Sequence, residues 1–285
     1  GVVADGYISG AKIYIDANGD GTAQESEYTG VTTNADGTFF LPNTLPNGAI
    51  IAVGGINIDT GLEQLIPLKA PAGSTTINPL STVLVAYLGL YPNTSIEDAS
   101  TALASSLGFV IPDGLDLGSY NPLAGMNEQR LDAQKVAAQI ATLLNTGAGD
   151  DAFLADALIS ELVANLGAPQ NITPFNLSDS NDISNVLDAV LQGTALQDST
   201  AQIRTANLEI EAVVNIGDIS AIQSDLGLAR ALSQSNTQSF SQYGSIPTTL
   251  SINTNFDYNE ALTASLFADA AYSHRTKNAI STFLT

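Results

Sequence analysis

The chain has no cysteine and no tryptophan, one methionine, one histidine and only 8 basic residues among 285. Without cysteine there are no disulfides, no thiolate metal ligands and no thiol nucleophile. With 8 basic against 29 acidic side chains the formal net charge is −21, so a nucleic-acid backbone or an anionic membrane surface repels the chain. Nucleic-acid binding is not expected. No stretch reaches the ~18 consecutive apolar residues of a membrane span. Charged residues make up 13% of the chain and hydrophobic residues 44%, so Ser, Thr, Asn, Gln and Gly must cover most of the surface. The length suffices for one large or two modest domains. Gly1 begins the chain without an initiator methionine or a signal sequence, which reads as a processed or excised chain.

Catalytic patterns are equally sparse. His274 lies in the one basic cluster, with Arg275 and Lys277, and has no second histidine to form a metal triad. There is no Gly-x-Ser-x-Gly elbow and no glycine-rich phosphate loop. His274 therefore reads as a surface or interface residue. Paired carboxylates occur at Glu97 and Asp98, Asp150 and Asp151, and Glu209 and Glu211, each at a helix start or flank where the helix dipole or solvation accounts for them. A glycosidase needs two carboxyls facing across a cleft, which no sequence pattern here provides. Asn93-Thr94-Ser95 and Asn176-Leu177-Ser178 match glycosylation sequons, a pattern short enough to arise by chance.

What the chain does contain is a twelve-residue run of oxygen donors. Asp16, Asn18, Asp20, Thr22, Gln24 and Glu27 fall at positions 1, 3, 5, 7, 9 and 12 of a loop with Gly21 at position 6. That spacing suits one calcium ion: side-chain oxygens from Asp16, Asn18 and Asp20, the Thr22 carbonyl, Gln24 through water, and a bidentate Glu27. The same residue types also enrich ordinary turns between strands. The flanks exclude a helix-loop-helix hand. Lys12-Ile13-Tyr14-Ile15 alternates with period two behind Gly10, so the loop hangs from a strand. Tyr28 to Thr33 reads as a second strand, Asn34 to Gly37 as a turn, and Thr38 to Leu41 as a third strand stopped by Pro42.

These residues resemble a family. Asp5-Gly6-Tyr7-Ile8, Gly10, the run Asp16 to Gly21, and Thr33-Asn34 with Asp36-Gly37 and Phe39 look like the small calcium-binding β-sandwich modules of bacterial cell-surface proteins, of the staphylococcal SdrD B-repeat and carboxypeptidase-regulatory-like type. Ile51 to Gly55, Leu68 to Ser74, Asn78 to Thr82 and Leu107 to Leu117 are similar to segments that follow such modules in large secreted repeat proteins and adhesins of Gram-negative bacteria and cyanobacteria. The resemblance covers residues 1–145, is specific over the first forty or so, and is loose beyond them. It implies an extracellular, calcium-stabilised module without enzymatic activity.

From Asn78 the texture becomes rich in alanine and leucine. Asn78 and Pro79 open a helix to Gly89, Ser95 caps another that ends at Gly108, and a third runs from Asn127 to Thr146. Asp150 and Asp151 open a fourth through Leu166, closed by Gly167 and Pro169. Ser178 to Gln192, Thr200 to Val214 and Ile219 to Ser233 follow, with Gly193 and Gly217 as punctuation. Gln242 to Phe256 reads as extended and Asn259 to Leu284 as a helix.

The expected fold is therefore α+β: a calcium-binding β-sandwich over residues 1–75, a helical bundle over 76–238 without a parallel sheet, and a strand-helix tail over 239–285 that serves as an assembly segment. The expected function is non-enzymatic. It is an extracellular calcium-binding structural protein that self-associates into a cell-surface filament or matrix. The alternative is an adhesin module that binds a glycan or peptide.

Overall fold

The computed structural model describes residues 1–42, 44–124 and 128–227. Residues 1–223 form one compact unit. The fold is α+β, with most of the short strands first, helices after them, and one further strand pair at residues 167–172 among the helices. The expected strand and helix of the tail, His274, and the last part of the helix expected to reach Ser233 lie outside the described residues.

Among the described residues there are ten strands: β1 (Val2–Val3), β2 (Ile8–Ser9), β3 (Lys12–Asp16), β4 (Tyr28–Thr32), β5 (Ala49–Val53), β6 (Ile56–Asn57), β7 (Leu68–Ala70), β8 (Thr76–Ile77), β9 (Gly167–Ala168) and β10 (Asn171–Ile172). β4, β3, β5 and β7 form an antiparallel sheet in that order. Its register aligns Ile13 with Ala52 and Leu68, and Ile15 with Ile50 and Ala70, so these six side chains share one face. Val3, Ile8, Phe39 and Ile77 from outside the sheet join them in one buried cluster. The opposite face carries the row Tyr14, Ile51 and Lys69, all buried.

Two expectations are corrected in this region. Thr38 to Leu41 is not a strand: Thr38 makes a single bridge to Val2 and Phe39 exchanges backbone hydrogen bonds with Gly1, but that pairing is too short to form a ladder. Parallel pairing does occur, because β1 lies beside β8 with Val2 opposite Thr76.

The helices are α1 (Pro79–Leu90), α2 (Ile96–Leu107), α3 (Glu128–Ala148), α4 (Ala152–Leu166), α5 (Ser180–Leu187) and α6 (Gly193–Ala212), with residues 216–227 also helical. Their starts are chemically explicit. Asn78 caps α1 through the Ser81 amide, Ser95 caps α2 through the Asp98 amide, and Asp151 caps α4 through the amides of Phe153 and Leu154. Asp98 and Asp151 are thus engaged in capping: the Asp98 carboxylate also accepts the Ser95 hydroxyl at 2.8 Å. Gly193 and Gly217 stand at helix starts, as punctuation between helices. The first opens α6 with a φ of 61°, which glycine adopts readily, and the second is the second residue of the 216–227 helix.

The helical core runs through Leu84, Tyr87, Leu103, Ile140, Leu158 and Leu162 among others. At the junction with the sheet, α1 covers the β7 edge. The Lys69 amide donates to Thr82 Oγ1 at 2.9 Å, and the Ser81 hydroxyl donates to the Lys69 carbonyl at 2.7 Å, so side chains of a helix take the place of a further strand. At the other side of the sheet β4 is an edge, and Thr29 and Gly30 bulge out of its pairing with β3.

Candidate metal centre

The loop expected to hold calcium leaves the sheet at the end of β3 and returns through a 3₁₀ turn, Glu25–Glu27, into β4. Asp16 is its anchor and is buried. One Asp16 oxygen accepts the amides of Gly19 at 2.8 Å and Asp20 at 3.1 Å, and the other accepts the Gly21 amide at 2.9 Å. Gly19 and Gly21 adopt φ values of 76° and 77°, a region that side chains disfavour, and this lets the chain coil around the carboxylate.

Asn18 and Asp20 repeat the pattern on a smaller scale. The Asp20 amide donates to Asn18 Oδ1 at 2.8 Å, and the Thr22 amide and hydroxyl donate to Asp20 Oδ1 at 2.9 and 2.7 Å. The Asp20 carboxyl is held below the usual carboxylate range by the Thr22 hydroxyl first and the Thr22 amide next. Its second oxygen takes Nδ2 of Asn18 at 3.0 Å and Nε2 of Gln24. Glu27 closes the loop: Oε1 accepts the Ala17 amide at 3.0 Å and the Asn18 amide at 3.4 Å, and Oε2 the Gln24 amide at 3.3 Å.

All six expected residues therefore lie in one folded loop, and Asp16, Asn18, Asp20, Thr22, Gln24 and Glu27 are linked through it by hydrogen bonds. Among the described residues, no three carboxylate, histidine or cysteine side chains converge into a group able to hold a metal ion. The reason is visible in the bonding, in which Asp16, Asp20 and Glu27 are each turned onto N–H donors. The donor set nevertheless fits a hard cation. It is all oxygen and acidic, and one oxygen each of Asp16 and Glu27 keeps a lone pair beyond the bonds described, whereas both Asp20 oxygens already accept two bonds each and would exchange some of them for the ion. Thr22 and Gln24 both donate to Asp20, and Gln24 also exchanges hydrogen bonds with Glu27.

Two charged groups near the centre carried no signal in the sequence. A Cβ placed on Gly21 would lie 3.9 Å from Nζ of Lys69, so the loop has folded back to reach β7, two strands away from its own β3. That ammonium also pairs with Asp156 of α4 at 2.7 Å, across 87 residues of sequence. Elsewhere, Asp5 is buried in the turn before β2. Desolvation pushes its carboxyl up to about 6, against a smaller opposing effect of a hydrogen bond from Gln223. Among the described residues, Tyr120 Oη, Gln134 Oε1 and Asn207 Oδ1 are buried without a hydrogen-bond partner.

No family model, no curated protein and no solved structure matches the chain. None of the helices among the described residues is long and apolar enough to cross a membrane.

Proposed function

We propose that the chain is a non-enzymatic, extracellular structural protein whose loop 16–27 binds one calcium ion and which assembles with copies of itself at a cell surface. The observation that carries this reading is the buried Asp16 carboxylate with three loop amides folded onto it, in a segment whose remaining donors are all oxygen. Asp16, Asn18, Asp20, the Thr22 carbonyl, Gln24 and Glu27 would hold the ion. Bound calcium supplies two positive charges that neutralise Asp16, Asp20 and Glu27 in part and lock the loop between β3 and β4.

In this reading the four-stranded sheet is one layer of a β-sandwich, the short strands around Val3, Ile8 and Ile77 make the other, and the helices form a bundle behind it. Self-association would use the β4 edge, with the segment Thr248 to Phe256 of a neighbouring copy as the added strand. Head-to-tail addition of that kind generates a filament unless it closes into a ring.

Thermal unfolding with and without a chelator tests the calcium part. At ten times the dissociation constant, calcium stabilises the folded state by about 1.4 kcal/mol, so chelation lowers Tm. An unchanged Tm contradicts it. Light scattering of the full chain and of a chain lacking residues 240–285 tests the assembly part: a polymer that persists without the tail rules out the added strand.

A further inference from the structure

Lys69 is a charge in an unusual place. Its side chain is 11% exposed, on a sheet face shared with Tyr14 and Ile51, and its backbone is tied on both sides by the hydroxyls of Ser81 and Thr82. The ammonium itself is held by burial of the side chain and by its bond to Asp156. It stands 3.9 Å from where a Cβ of Gly21 would be, and 2.7 Å from Asp156 Oδ1. It therefore faces the cation loop on one side and helix α4 on the other.

A fixed cation beside a cation site has a definite electrostatic sign. Without a metal it offsets part of the negative charge of Asp16, Asp20 and Glu27. Once a divalent ion enters, the same ammonium repels it, and Asp156 weakens that repulsion by screening the ammonium from the far side. We propose that Lys69 sets the affinity of the 16–27 loop: its ammonium opposes the incoming cation, Asp156 relieves that opposition, and occupancy of the loop is thereby coupled to the hold of Lys69 on helix α4. The inference rests on the calcium reading of the loop. Coupling is reciprocal, so an ion in the loop must also disfavour the present position of the ammonium.

The two partners have opposite signs, and that separates this role from a merely structural tie between sheet and helix. Loss of a tie would loosen the loop whichever partner is removed. Loss of the charges would not. Calcium titrations of the full chain are compared for wild type, Lys69→Met and Asp156→Asn at low ionic strength. Lys69→Met should tighten calcium binding on the order of tenfold, as expected for one charge removed within several ångströms near a protein surface. Asp156→Asn should weaken it by roughly threefold, since the ammonium is then uncompensated. Weaker or unchanged binding in Lys69→Met, with wild type binding calcium normally, overturns the role of Lys69. Absence of calcium uptake by wild type overturns the calcium reading itself and this inference with it. A measurement without substitutions guards against variants that fail to fold: the Lys69 Cε resonance of wild type should move as calcium saturates the loop, and a resonance that stays in place through saturation overturns the proposal.

Discussion

Asn78 and Ser81 cap one another. The Ser81 amide donates to Asn78 Oδ1 at 2.8 Å, and the Asn78 amide donates to Ser81 Oγ at the same distance. Asn78 is fully buried between the last strand of the N-terminal region and α1, and its Nδ2 also reaches the Tyr120 carbonyl at 3.4 Å. Replacing Asn78 by alanine removes the cap and strands two buried groups. A loss of about 2–3 kcal/mol is expected in urea unfolding, above the usual ~1 kcal/mol of an exposed cap. A loss below ~0.5 kcal/mol would show that the reciprocal cap is not what joins strand to helix.

Asp5 gives the chain an inverted acid response. Because burial raises its folded pKa to about 6, above an unfolded value near 3.9, the folded state holds the extra proton between those values. Stability contributed by this site is greatest below pH ~4 and declines as pH rises through about 6, the reverse of the usual aspartate. Asp5→Asn keeps the shape and removes the charge, so it should stabilise the protein at pH 7 by up to about 3 kcal/mol and make little difference at pH 4. Chemical denaturation of both proteins at the two pH values checks this. Equal effects at both would contradict it.

Gly48 has no room for a side chain. A Cβ there would lie 2.1 Å from the Asp16 carbonyl oxygen, and backbone cannot yield as a flexible side chain can. Gly48→Ala should therefore push β5 away from the base of the loop and destabilise the protein by about 1–3 kcal/mol. By displacing Asp16 it should also weaken calcium binding. The neighbouring change Gly54→Ala meets open space but forces a residue with φ of 67° into the left-handed region, so it should destabilise without altering calcium affinity. Thermal melts and calcium titrations of the pair separate the two effects.

The contrast between Asp16 and Lys69 shows what the sequence makes legible. Asp16, Asn18, Asp20 and Glu27 are local: their partners lie within ten residues, and short-range spacing with glycine at the turn suffices to place them in one loop. The caps at Asn78, Ser95 and Asp151 are local in the same way, and all three open the helices expected of them. Lys69 meets Gly21 and Asp156 only because the sheet orders β3, β5 and β7 side by side and brings α4 close, and a solitary lysine between apolar neighbours carries no trace of that. The parallel pair β1 and β8 is hidden for the same reason, with Val2 and Thr76 standing 74 positions apart. Phe39 and Phe40 mislead in the opposite direction. They alternate as a strand would, one ring in the core and the other in solvent, but the segment has only Gly1 to Val3 beside it and a single bridge replaces the ladder.

The central claim is that the 16–27 loop binds calcium. It is tested most directly by isothermal titration of the full chain with calcium chloride, beside Asp20→Ala, which removes the carboxylate that Asn18, Thr22 and Gln24 all address. The account predicts one site per chain with a Kd on the order of 0.1–1 mM, lost or weakened at least tenfold in Asp20→Ala. No heat at 10 mM calcium, or the same isotherm in both proteins, would contradict it.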